Sequence, residues 1–137
     1  MKNAIEDDCC IPGAGALEFA IHDNLMKGMK DIKGRAKLGA LAFAEAMLCI
    51  PKTLAMNSGF DAQEAMVTVQ EQLEETGEHV GLDINTGEAC LPADEGILDN
   101  YCVKRNMIHS ATVIASQLLL VDEIMRAGMS SLKPGGQ

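Results

Sequence analysis

A chain of 137 residues is long enough for one domain with a buried core, and a hydrophobic content of 47% supplies the material for it. The net charge of −9 argues against nonspecific nucleic-acid binding and against an anionic membrane surface, and it disfavours a phosphate site that has no outside help. Aromatic residues are only 3%, so Ala, Leu, Ile, Val and nine Met must fill the core. The five cysteines (Cys9, Cys10, Cys49, Cys90, Cys102) are an odd number without a Cys-x-x-Cys pair, which reads as reduced thiols. No signal-peptide pattern and no apolar run of transmembrane length is read. The expectation is a soluble cytoplasmic protein with neither a nucleic-acid nor a membrane partner.

Residues 1–8 read as the last turn or two of a helix, followed by a Pro/Gly turn over 9–16. The spacing of Leu17, Ala20, Ile21 and Leu25 predicts a helix over 16–27 with one apolar face. Gly28 and Gly34 bound a basic connection. Residues 36–50 carry only Lys37 and Glu45 as charges and are expected to form a central buried helix, which Pro51 must kink or restart. Asn57-Ser58-Gly59 ends that segment. Asp61-Ala62-Gln63-Glu64 is a capping box for a helix with Ala62, Met66, Val69 and Leu73 inside and Glu64, Glu71, Glu74 and Glu75 outside.

Residues 80–100 break the helical pattern, with Gly81, Gly87, Pro92 and Gly96 as punctuation. Short apolar runs flank Asn85-Thr86-Gly87, so a hairpin with Gly87 at positive φ is expected. Beyond it, Val103, Met107, Ala111, Ile114 and Leu118 mark a long helix that packs on one side. Residues 130–137 read as a frayed tail. The class is mainly α with one small β element.

Several of these stretches carry a resemblance. Gly-Leu-Asp-x-x-Thr-Gly-Glu at 81–88 and Gly-Ile-Leu-Asp-Asn at 96–100 resemble the C-terminal equatorial segment of group II chaperonins. The stretches 11–18, 50–55 with 57–61, and 121–128 agree in order. Gly13-Ala14-Gly15, Lys33-Gly34-Arg35-Ala36 and 99–104 look most like the zeta-type subunits of the eukaryotic cytosolic branch. The resemblance implies a helical bundle like the C-terminal half of a chaperonin equatorial domain. Residues 1–15 would end an intermediate-domain helix and form a nucleotide-contact turn. Residues 16–128 would be the C-terminal half of the equatorial ATP-binding domain, with a strand at 123–126, and 129–137 a flexible tail. The implied partners are other chaperonin subunits in a double ring, and unfolded cytosolic clients held by parts outside these residues.

Three places could carry chemistry. Gly13-Ala14-Gly15 taken alone is a helix-start turn, since no dinucleotide fingerprint surrounds it. By resemblance it is a loop that brings backbone close to the ribose and adenine of ATP, with Ala14 adding a methyl group to the commoner triple glycine. Asp99 is an N-cap for the following helix, or by resemblance an acceptor for the ribose hydroxyls, and one carboxylate has lone pairs for both. Asp83 and Ile84 match positions beside the adenine, with Ile84 offering apolar contact and Asp83 also suited to the turn. The family's phosphate loop is not among these residues, and its water-orienting Asp matches neither Asp7 nor Asp8. ATP or ADP with Mg²⁺ is the cofactor implied for the parent complex, with none expected on the isolated chain. No catalytic residue and no metal ligand is assigned, because His22, His79 and His109 lack ligand spacing. The alternative is a helical interaction module that neither binds nor hydrolyses nucleotide.

Overall fold

The computed structural model describes residues 2–125, which fall into two compact units, Met1–Cys102 and Val103–Gln137. The first unit holds α1 (Lys2–Asp7), β1 (Cys10–Pro12), α2 (Ala16–Gly28), α3 (Ala36–Met47), α4 (Cys49–Asn57), α5 (Ala62–Thr76), β2 (Gly81–Leu82), β3 (Ala89–Cys90) and β4 (Leu98–Asn100). Helix α6 (Tyr101–Leu119) starts at its edge and supplies the helical part of the second unit. The mainly α architecture with a small hairpin is the one the residue pattern predicts.

Two helix pairs, α2 with α3 and α4 with α5, build most of the first unit. Helix α5 begins where Asp61 accepts the amides of Gln63 and Glu64 at 2.7 and 3.4 Å, and it ends at Gly77 in the left-handed region. Between these caps Ala65, Met66 and Val69 turn inward, joining Phe19, Ala55, Val80 and Leu82 in one core. Glu64, Glu71, Glu74 and Glu75 stay exposed. Pro51 falls in the first turn of α4, where its missing amide has no helical partner to lose, so the helix restarts after Leu48.

Four expectations for the first unit need correction. Cys10–Pro12 is a strand, paired antiparallel with Leu98–Asn100, where the turn residues alone suggested a loop. In α2 the deeply buried positions are Ala16, Glu18 and Phe19, while Leu17, Ala20, Ile21 and Leu25 are half-buried. Gly15, pressed against Pro51, seats that first turn and sets the rotation. Helix α3 forms as expected but is not central: it buries only Ala44 and Met47, and Leu38 is 70% exposed. Because Pro51 restarts the helix, the stretch Ala36–Asn57 becomes long and apolar enough to cross a membrane by length and composition, which the residue-by-residue reading did not find. A packing helix of a water-soluble domain passes the same test, and Lys37, Glu45 and Lys52 interrupt this one.

In helix α6 no residue is fully buried, and of the expected stripe Met107 is half-buried while Val103, Ala111, Ile114 and Leu118 are exposed. Residues 121–125 are irregular, and the expected strand is not formed at 123–125; Arg126 and the expected tail lie outside the described residues.

Candidate functional site

The corner where three distant segments meet is built almost wholly from backbone. In the β1–β4 ladder Ile11 faces Asp99, and the chain leaving Pro12 gives the Gly13 amide to the Ile97 carbonyl at 2.9 Å. The turn then closes on itself, Ala16 N–H donating to Gly13 O at 3.0 Å and Phe19 N–H to Gly15 O at 3.1 Å. The outward carbonyl of Ala14 accepts the Leu82 amide at 2.9 Å, which ties the hairpin to the same turn.

Glycine is needed at this corner for two different reasons. Gly15 sits at φ 80°, where a β-carbon is strained, and a side chain there would also meet Pro51 at 3.0 Å. Gly81 needs no unusual φ; a β-carbon on it would lie 2.8 Å from Ala14 Cβ, 2.8 Å from Pro92 Cγ and 2.9 Å from the Ala14 carbonyl oxygen. The methyl group of Ala14 therefore packs toward β2, and Ala14 itself holds a left-handed φ of 53°. A β-carbon on Gly13 would come within 3.1 Å of Ile97 Cγ2 and 3.5 Å of the Asp99 carboxyl carbon.

Gly13, Ala14, Gly15 and Asp99 are thus brought together, and Asp83 and Ile84 follow directly on the residue bonded to Ala14. Ile84 is 53% exposed, an open apolar surface at the hairpin tip. Asp83 is committed to the turn. Its Oδ1 accepts from the Asn85 amide at 2.8 Å and from Asn85 Nδ2 at 3.1 Å, and its Oδ2 accepts from the Thr86 hydroxyl at 3.1 Å. The Asn85 amide above all, with help from Thr86, outweighs desolvation and holds the carboxyl below its usual range.

Chemically the corner offers the Asp99 carboxylate and, at the hairpin tip, one exposed aliphatic side chain, while the Gly13 and Gly15 backbone is buried. This set contains no nucleophile–base pair. At Cys90, burial first and then the charges of Glu95 and Asp83 push the thiol up, away from a reactive thiolate. Among the described residues no group of three or more His, Cys, Asp or Glu is placed to hold a metal ion.

The chain matches the TCP-1/cpn60 chaperonin family over residues 1–129. It belongs to that family. Over 133 residues it is 59% identical to the T-complex protein 1 subunit zeta-2 of Homo sapiens and 56% identical to that of Mus musculus. Each match covers 97% of this chain and 25% of the relative, so the chain spans about a quarter of the length of these curated relatives. Its fold is also that of an open-state monomer of a group II chaperonin from Methanococcoides burtonii, with TM-score 0.78 and 28% identity over 82% of this chain and 28% of that one.

Within this chaperonin segment, reading the residues one by one missed Pro51, Gly81, Pro92 and Ile97 as builders of the corner. Gly81 and Pro92 read as helix breakers, and Gly81 also opens the 81–88 resemblance, but neither reads as a packing contact. Their signal was their shared position on either side of the hairpin, with Gly81 opposite Cys90 and Pro92 two residues further on.

Proposed function

We propose that the chain works as the C-terminal equatorial segment of an ATP-driven chaperonin subunit that assists the folding of cytosolic proteins. In that role it assembles with other subunits in a double ring in the cytoplasm. Gly13, Ala14, Gly15, Ile84 and Asp99 supply the adenine–ribose half of the nucleotide site, with Asp83 shaping the loop that presents Ile84. When bound, ATP with Mg²⁺ supplies the energy of the folding cycle; phosphate contacts come from the rest of the subunit. The observation that carries this reading is the convergence of the Gly13–Gly15 turn, the Asp99 strand and the hairpin through the Gly13–Ile97 and Leu82–Ala14 hydrogen bonds. Residues 1–15 act as the hinge-side end of an intermediate-domain helix plus the contact turn, and 16–128 as the equatorial part.

The test is a chimera in which the matching quarter of a zeta-type relative is replaced by this chain. It should assemble and turn over ATP, with Asp99→Ala raising KM for ATP by about ten- to a hundred-fold, the loss of one or two hydrogen bonds to a charged group. An unchanged KM would remove Asp99 from the site. The isolated chain should bind ATP no better than adenosine; tighter Mg²⁺-dependent binding of ATP would mean a phosphate site exists within these residues. The second reading, a helical interaction module without nucleotide, draws on the uncovered apolar face of α3, and an assembling chimera indifferent to Asp99 would favour it.

A further inference from the structure

Phe60 falls within the 57–61 resemblance but has no role assigned to it above, yet it touches the loop that carries two of the assigned residues. Its placement begins with the end of α4. Gly59 takes a left-handed φ of 86°, its amide donates to the Met56 carbonyl at 3.1 Å, and the Phe60 amide reaches back to the Ala55 carbonyl at 3.0 Å. This pair of bonds is the Schellman arrangement, which fixes the direction of the residue after the glycine. On the other side Asp61 is the N-cap of α5. Phe60 is therefore held by the end of one helix and the start of the next, and its backbone has little freedom to move.

The ring lies on the backbone of Gly87. A β-carbon built on Gly87 would fall 2.6, 2.8 and 2.9 Å from the ring atoms Cδ1, Cγ and Cε1 of Phe60. Gly87 belongs to the loop between β2 and β3, whose ladder has only two rungs, Gly81 with Cys90 and Leu82 with Ala89. Beyond those rungs the loop is closed by its own bonds: Asp83 N–H to Glu88 O and Gly87 N–H to Asp83 O, each 2.9 Å, plus the Asp83 carboxylate network. Such bonds give the loop its shape, and the Leu82–Ala14 bond with the buried Leu82 fixes its base, so what they leave open is the angle of its tip. A ring fixed between α4 and α5 and seated on Gly87 sets that angle.

We propose that Phe60 is a positioning residue for the nucleotide-contact hairpin, acting through Gly87 to hold Ile84 where it meets the adenine. The contact joins the α4–α5 junction to the hairpin tip, so a shift of either helix end carries Ile84 with it. The role of Ile84 rests on the function proposed above; the mechanical claim about the loop does not.

Amide hydrogen exchange on the 137-residue chain tests the mechanical claim. Phe60→Ala should raise exchange at the Asp83 and Gly87 amides about ten-fold while leaving Val69, in the core of α5, within about two-fold of the original. Phe60→Leu, a milder change in case the alanine variant fails to fold, should loosen the same two amides to a smaller degree. Phe60→Tyr keeps the ring and should restore protection. A uniform rise that includes Val69, or no rise at all, overturns the proposal. In the chimera, Phe60→Ala should raise KM for ATP with kcat little changed, whereas a residue that only supports the core would lower active protein and leave KM alone. If Asp99→Ala raises KM and Phe60→Ala does not, the link to Ile84 is overturned. Should Asp99→Ala itself have no effect, the nucleotide reading fails, and the exchange data alone decide whether Phe60 sets the loop.

Discussion

The corner around Gly13–Gly15 and the helix α3 are both made of small and apolar residues, but one is closed and the other open. At the corner the Gly13 amide and the Ala14 carbonyl are spent on other segments, and a single added carbon at Gly81 has nowhere to go. On α3 a β-carbon added to Gly39 would meet nothing within 4 Å, and Leu38 is 70% exposed. Apolar composition therefore says that a face needs covering; only backbone ties and close approaches say that it has been covered. The closed region defines a fixed geometry, and the open one defines a surface.

The sharpest way to break this contrast is to truncate one large side chain in each region. Phe19, 2% exposed in the shared core, should lose about 3–5 kcal/mol on Phe19→Ala, from lost burial and the cavity left behind. Leu38→Ala should lie within about 0.5 kcal/mol of the parent, since there is little contact to lose. Urea unfolding of both variants gives the comparison. Equal losses would mean that α3 is covered in solution by something that protects Leu38.

How much of this was legible beforehand follows the same division. The start of helix α5 could be read to the residue, because Asp61 is a local signal with a local mechanism, a side-chain cap; its left-handed stop at Gly77 became visible only in the fold. The hairpin was legible from Gly87 for the same reason. The β1–β4 pairing was not: three residues, one of them Pro12, give no alternation to count, and the partner lies more than eighty residues away. Burial of α3 was misjudged because periodicity reports which face is apolar and says nothing of what stands opposite. Family resemblance gathered Gly13, Ala14, Gly15, Asp83, Ile84 and Asp99 into one list. The physical reason four of them meet, the Ile97 and Leu82 hydrogen bonds, became visible only in the fold. Phe60 was visible only as part of the 57–61 resemblance, which says nothing of what its ring touches, and an aromatic ring after a glycine stop usually packs on its own helix.

Glycine substitutions sharpen the contrast at a smaller scale. Gly81→Val should cost about 1–3 kcal/mol, because its neighbours are the backbone of Ala14 and the ring of Pro92, neither of which can swing aside. Gly39→Ala, inside α3 and facing open space, should stabilise by about 0.8–1 kcal/mol through helix propensity alone. Opposite signs in the two thermal midpoints are expected. A tolerated Gly81→Val would show that the hairpin can leave the Gly13–Gly15 turn without consequence, and the corner would lose its claim to a fixed geometry.

The smallest expected effect concerns pH, and it separates the hairpin tip from the corner to which it is tied. The Asp83 carboxylate is held in its charged form chiefly by the Asn85 amide, and so titrates below the ordinary 3.8. With the folded value lower than the unfolded one, the contribution of these bonds is fully present above 3.8 and is lost as pH falls through the folded value. From neutral pH down to about 4 the loop should therefore be unchanged. On further acidification the amide resonance of Asn85 should move as its acceptor is protonated, while that of Leu82, bonded to the Ala14 carbonyl, has no titrating partner and should stay in place. Asp83→Asn leaves an oxygen for the Asn85 amide but no charge, and its Asn85 resonance should be flat over the same range. A midpoint at or above 3.8 in the parent chain would mean that the loop bonds do not form in solution, leaving the ladder and the Phe60 contact to hold Ile84 by themselves.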